Sequence, residues 1–152
     1  MFQKLIRTEC DVTALILRLA LGIVMFPHGA QKTLGLFGGY GFSGTMQFFT
    51  QSGIPTVLAF LAIAAESLGS LGLIVGLLGR VAAFGIACNM IVAMLMVHLP
   101  NGFFMNWFGS QKGEGFEYHI LAIGIALAVM IKGSGAGSVD LALSKRAAPS
   151  AA

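Results

Sequence analysis

A chain of 152 residues with 57% hydrophobic and only 10% charged residues, at a net charge of +3, is ill matched to water, where ordinary domains carry roughly 25% charge. That balance excludes a soluble globular domain and points to a lipid bilayer. The absence of basic runs interleaved with aromatics excludes a nucleic-acid partner.

The opening "MFQKLIRTECDV" is short and amphipathic. The apolar run that follows is longer than a signal-peptide core and has no A-x-A site after it, so it reads as a retained span. Four runs are long enough to approach the roughly 30 Å of hydrocarbon: Val12–Thr33, Ile54–Gly76, Val81–Leu99 and Phe116–Lys132. Backbone groups in lipid must pair internally, and no period-two alternation supports a barrel, so these runs predict helices. Small residues such as Ala65, Gly69, Gly72, Gly85 and Gly124 let such helices approach closely. The predicted fold is all-α: an integral membrane, antiparallel four-helix bundle with two long outer loops. Residues 1–11 form a cytoplasmic N-terminus, residues 12–132 the membrane domain, and residues 133–152 a polar, disordered tail. With both termini cytoplasmic, Lys4, Arg7, Arg80, Lys132, Lys145 and Arg146 lie inside and only Lys32 and Lys112 outside.

The connections differ in kind. "LLGR" joins the second and third spans tightly, whereas both outer connections are long and rich in glycine and aromatics, as suits the membrane interface. Ser43–Gln51 predicts a short interfacial helix capped by Ser43. Cys10 and Cys88 form no C-x-x-C pair and no metal spacing with a histidine. No metal is assigned.

Ionisable residues inside spans are costly and mark function by default. Counting about 1.5 Å per residue from the inner span ends puts Arg18, Glu66 and Asn89 roughly 9–15 Å above the inner boundary. His28, Lys32, His98, Glu117, Tyr118 and His119 then fall near the outer one. In the inner tier Arg18 is expected to pair with Glu66; the alternative has Glu66 lining a cavity and carrying protons. In the outer tier His28 and Lys32, spaced i, i+4, share a helix face. Singly these residues read as interfacial side chains or a snorkelling lysine. Together, His28, Lys32, His98 and Glu117 predict one site at the outer mouth.

The motifs resemble the DoxX family of small bacterial membrane proteins over almost the full chain. "RLALGIVMFPHGAQK" carries Arg18, Gly22, Phe26, His28, Gly29 and Lys32, and "AESLGSLGLIVGLLGR" carries Glu66, Gly69, Gly76 and Arg80. "HLPNGFF" adds His98, Asn101 and Gly102; "GFEYHILAI" adds Glu117 and Tyr118; "GSGAGSVDLAL" adds Asp140. Ser70 departs from a common second glycine. The resemblance implies a four-helix inner-membrane protein with redox associations, whose relatives include a subunit of a thiosulfate:quinone oxidoreductase. The leading expectation is therefore a membrane redox-associated subunit binding a quinone or similar apolar small molecule near the outer face. His28, Lys32, His98, Asn101, Glu117 and Tyr118 are the ligand-binding candidates. His28 or His98 would bond a carbonyl, Lys32 would stabilise negative charge, and Glu117 would exchange the proton. No cofactor motif is present, so electrons come from a redox-enzyme partner or from the substrate. The alternatives are a non-catalytic membrane anchor for a redox or stress-response enzyme, and a small-molecule transporter using Glu66. Small-residue faces also permit a homo-oligomer.

Overall fold

The structure, a computed structural model, describes residues 2–147. Among the described residues every regular element is helical: α1 (Phe2–Ile6), α2 (Val12–Leu34), α3 (Gly41–Gln51), α4 (Thr56–Val75), α5 (Gly79–Ala93), α6 (Glu117–Lys132) and α7 (Val139–Ala147). A π-helical turn, Met94–His98, and a 3₁₀ turn, Leu99–Asn101, extend α5. Helix α2, helix α4 and the continuous Gly79–Asn101 segment are long and apolar enough to cross a membrane. Helix α6, with 16 residues, reaches roughly 24 Å at the usual helical rise.

Helix α2 starts at Asp11, whose Oδ1 accepts the N–H groups of Thr13 at 2.8 Å and Ala14 at 3.2 Å. The Ala14 amide foremost, with that of Thr13, holds the Asp11 carboxyl below its ordinary value. The helix runs through Pro27 and closes on Gly35 in the left-handed region. Helix α3 begins at Gly41, not at Ser43, so Ser43 lies in its first turn and is not its cap.

Helix α2 packs on α4 and α6, and α5 packs on the same two helices. The shared core is aliphatic, with Leu21 and Met25 of α2 meeting Ile86 and Met90 of α5 and Ala126 and Val129 of α6. Outward faces are also apolar, as at Ile16, Val57, Leu68, Phe84 and Leu121, and it is lipid that such a surface requires.

The segment after Gly133 corrects the expectation of a disordered tail as far as Ala147; residues 148–152 lie outside the described part. Residues 133–138 fold beneath the end of α4. The Gly135 N–H donates to Thr8 Oγ1 at 2.8 Å, the Ala136 N–H to the Asp11 carbonyl at 3.0 Å, and the Asp140 N–H to the Gly76 carbonyl at 2.9 Å. Ser144 of α7 donates to the Ile6 carbonyl at 2.8 Å, which ties α7 to α1.

The return of this segment explains Arg18, and it corrects the expected Arg18–Glu66 pair. The Arg18 side chain is 1% exposed. Its Nη1 donates to the carbonyls of Leu73 and Ile74, both at 2.7 Å, at the C-terminal end of α4. Its Nε donates to the Ser134 carbonyl at 2.7 Å, and its Nη2 to those of Ala136 at 3.2 Å and Gly137 at 3.0 Å. The last carbonyls of a helix lack internal partners and carry partial negative charge, so a guanidinium fork there satisfies acceptors and complements the dipole.

Asp140 serves the next helix in the complementary way. Its Oδ1 accepts from the Leu78 N–H at 2.8 Å and its Oδ2 from the Gly79 N–H at 3.0 Å, capping the start of α5 from 61 positions away. Leu78 has φ of 51°, a left-handed conformation that side chains other than glycine rarely adopt, and its bond to Asp140 holds it there.

Replacing Arg18 by Gln strips these carbonyls of partners at about 1–3 kcal/mol for each group left buried and unsatisfied. The expected result is a fall in the thermal midpoint in detergent of about 10 °C or more. Arg18→Lys should fail to restore it, because an ammonium lacks the planar fork. A midpoint within a degree or two of wild type in either variant would contradict this role.

Candidate functional site

The helix register places the polar residues. A Cβ added at Gly76 would stand 3.1 Å from Arg18 Cζ, so α4 ends level with Arg18, about two turns above the start of α2. Further up, a Cβ at Gly29 would fall 2.7 Å from both the Glu66 carbonyl oxygen and the Ser67 Cα. Only glycine lets the two backbones approach this closely. Glu66 is thus level with Gly29, in the tier expected for His28 and Lys32. Depths counted from span ends assumed flush inner ends, and the stagger of α4 against α2 invalidates that assumption for Glu66.

With this register Lys32 reaches Glu66. Lys32 Nζ forms an ion pair and hydrogen bond with Glu66 Oε2, and Asn89 Nδ2 of α5 donates to Glu66 Oε1 at 2.5 Å. Glu66 is 4% exposed and sits midway along an apolar helix. A lone charge there would be costly; a cation on one oxygen and an amide on the other make the position tenable. The Gly29 carbonyl, one turn below Lys32, is itself engaged by Thr33 Oγ1 at 2.8 Å and Ser67 Oγ at 3.2 Å.

Around this pair the six predicted ligand residues divide. His28 is exposed on α2 and lies within electrostatic range of both Glu66 and Lys32. Tyr118, at the start of α6, donates its hydroxyl to Met25 Sδ at 3.5 Å and lies within range of Glu66. His28, Lys32 and Tyr118 therefore border one polar patch where the C-terminal end of α2 meets the N-terminal end of α6.

The other three flank the loop of residues 102–116: His98 and Asn101 in the turns that end the α5 segment, and Glu117 at the start of α6. His98 Nδ1 meets the Glu114 carbonyl at 2.9 Å; a carbonyl only accepts, so that nitrogen carries the proton. Asn101 Nδ2 donates to the carbonyls of Glu114 at 3.1 Å and Val97 at 3.3 Å. Glu117 Oε1 accepts the Met105 N–H at 2.8 Å. These residues shape residues 102–116 over the helix ends.

Two residues outside the predicted ligand set matter here. Asn89 holds Glu66 from the third helix. His119 is 6% exposed, with its ring centroid 4.1 Å from that of His98, and its Nδ1 is buried without a hydrogen-bond partner. It links the loop of residues 102–116 to the patch, being within electrostatic range of both His98 and His28. By sequence His119 lies at the depth of Tyr118, but nothing in the sequence signals that its ring turns inward. Among the described residues no group of three or more His, Cys, Asp or Glu side chains gathers to hold a metal.

The DoxX family profile matches residues 13–99, the stretch that holds Arg18, His28, Gly29, Lys32, Glu66, Asn89 and His98. The chain belongs to the DoxX family. It is also 31% identical over 119 residues to a Bacillus subtilis (strain 168) protein named "Putative oxidoreductase CatD", covering 78% of this chain and 79% of that one. No solved structure matches it. Family membership and the apolar helices together make this DoxX protein a multi-pass membrane protein.

Two outcomes check the site's construction in this DoxX chain. Lys32→Met alone leaves a buried carboxylate without its cation and should cost about 3–5 kcal/mol, most of which Lys32→Met combined with Glu66→Gln should restore. A double variant less stable than Lys32→Met would contradict the ion pair. Gly29→Ala should cost about 1–3 kcal/mol by forcing α2 and α4 apart. Unfolding of the purified protein in detergent reads all three.

Proposed function

We propose that this chain is a redox-associated membrane subunit, a four-helix bundle of the bacterial inner membrane with cytoplasmic termini, that binds a quinone or similar apolar molecule near its outer face. The observation that carries the reading is the Lys32–Glu66–Asn89 cluster set among apolar helices and bordered by the exposed His28. A few polar groups at the edge of an apolar surface suit a ligand with a carbonyl-bearing ring and a greasy tail. The redox character of the relative's name is consistent with this reading.

A bound quinone would supply the electron-accepting chemistry; the chain's own groups bind and manage charge. His28 offers a ring nitrogen to a carbonyl oxygen at the lipid-facing edge of α2. Lys32 stabilises negative charge developing on that oxygen. Glu66 is the nearest carboxylate able to exchange a proton, and Asn89 fixes its orientation. Glu117, the acid expected from the sequence to exchange the proton, accepts the Met105 N–H, whereas Glu66 is paired with Lys32, the cation assigned to the bound carbonyl, which favours Glu66 for that role. Tyr118 closes the patch on the α6 side. The tail lies along the exposed apolar face beside Val24. Electrons come from a partner subunit, as in an assembly of the thiosulfate:quinone oxidoreductase kind.

The anchor reading makes the opposite prediction for ligand binding. In lipid nanodiscs, a water-soluble quinone analogue should bind the wild type and bind His28→Ala about tenfold more weakly, a loss of roughly 1.4 kcal/mol. The His28 side chain is exposed and has no hydrogen-bond partner among the described residues, so this variant should keep its thermal midpoint. Equal affinity in both proteins, or no binding to either, would contradict the proposal and favour the anchor.

A further inference from the structure

A second polar site lies at the other end of the helices. Between the N-terminal segment and the end of α6 is an open cleft of about 410 Å³, within the roughly 300–1,000 Å³ of small-molecule sites. Its lining carries charges of both signs: Arg7, Arg80 and Lys132 against Glu9 and Asp11.

These charges are not equally available. Arg80 is spent on backbone carbonyls, donating from Nε to Met130 at 2.9 Å, from Nη2 to Ile131 at 3.1 Å and from Nη1 to Arg7. It contributes a fixed positive wall. Lys132 leans toward Asp11 at 3.4 Å while staying 62% exposed. The side chains of Arg7 and Glu9 are exposed and form no hydrogen bond or ion pair among the described residues. The cleft thus presents one uncommitted cation and one uncommitted carboxylate on the same rim.

The surroundings supply the second constraint. Ile131, in the wall, is 77% exposed, on the apolar outer face of a helix in a membrane protein. A ligand here has its polar head at the membrane boundary, and an apolar part, where it has one, can run along α6 past Ile131. Three cations and two carboxylates on one lining suit a head that carries a phosphate and a cation together better than a simple anion. That cation is not a quaternary ammonium, which has no N–H to give a carboxylate.

We propose that this cleft binds a phosphoethanolamine group, with the phosphate against Arg7 and Lys132 beside the Arg80 wall, and the primary ammonium donating to Glu9 and Asp11. Phosphate takes charge-assisted bonds from guanidinium and ammonium groups, and carboxylates take them from a primary amine. The group belongs to a phospholipid headgroup or to a free phosphoamine, and the ligand's source decides whether Ile131 is used. The site is independent of the quinone reading, since it shares no residue with it.

Native mass spectrometry of the full chain, released from micelles doped equally with phosphatidylethanolamine, phosphatidylcholine and phosphatidylglycerol, tests the site. Phosphatidylethanolamine should be retained at least about fivefold over the other two, each rule of charge and N–H donation costing about 1 kcal/mol or more. Arg7→Gln and Glu9→Gln should each abolish that preference without moving the thermal midpoint, because neither side chain is used in the fold. Soluble phosphoethanolamine separates the sources: if it raises the midpoint of the wild type but not of Glu9→Gln, the free head suffices; if only the lipid is retained, the apolar wall is required. Equal retention of the three lipids would overturn the proposal. So would a phosphatidylglycerol preference that Glu9→Gln strengthens, or a phosphatidylethanolamine preference that survives both substitutions.

Discussion

The guanidinium of Arg18 is the fixed point of this molecule. It sits on a membrane helix at a depth where a bare charge is prohibitive, and it is tenable there because carbonyls of Leu73, Ile74, Ser134, Ala136 and Gly137 surround it. The consequence is geometric as much as energetic. The end of α4 must stand beside Arg18, and the segment after α6 must return beneath that end to complete the set of acceptors. Asp140 then lies where it caps α5, so one buried cation organises the ends of three helices.

The register that Arg18 imposes is read out roughly 15 Å further along α2. There the two backbones touch at Gly29, and Lys32 falls within reach of Glu66. The two buried charge systems solve the same problem differently. Arg18 is neutralised by partial charges at helix and loop ends, and these acceptors are immobile. Glu66 is held by two side chains, Lys32 and Asn89, which have torsional freedom that backbone acceptors lack. This contrast is why the first system reads as architecture and the second carries the functional proposal. Beyond it, His98, Asn101, Glu114 and Glu117 spend their polar atoms on the loop of residues 102–116, leaving Trp107 and Phe108 projecting from it, as aromatic side chains do at a membrane interface.

Much of this was legible in the amino-acid order. Uninterrupted apolar runs announce helices because lipid allows nothing else, and the small residues announce close packing. The family motifs pointed to Arg18, Gly29, Lys32, Glu66 and Asp140. What could not be read was who meets whom. Arg18 binds backbone carbonyls, which every residue has, so no side-chain pattern advertises them. Charge pairing suggested Glu66 as its partner instead, and a depth count with flush helix ends reinforced that choice. The "GSGAGS" stretch looks like a linker because small polar residues usually form one. Here glycine is needed at Gly135, where φ is 72° and a Cβ would strike the Asp11 carbonyl oxygen at 2.5 Å.

The account stands on the claim that the segment after α6 is a structural member closing over Arg18. Hydrogen–deuterium exchange on the full chain in nanodiscs tests that claim directly. Peptides covering residues 133–142 should exchange as slowly as the interior of α4, because the amides of Gly135, Ala136 and Asp140 are bonded to Thr8, Asp11 and Gly76. Exchange as fast as in the exposed stretch of residues 107–112 would mean that the segment is open, and would remove the basis for the register on which the Lys32–Glu66 site depends.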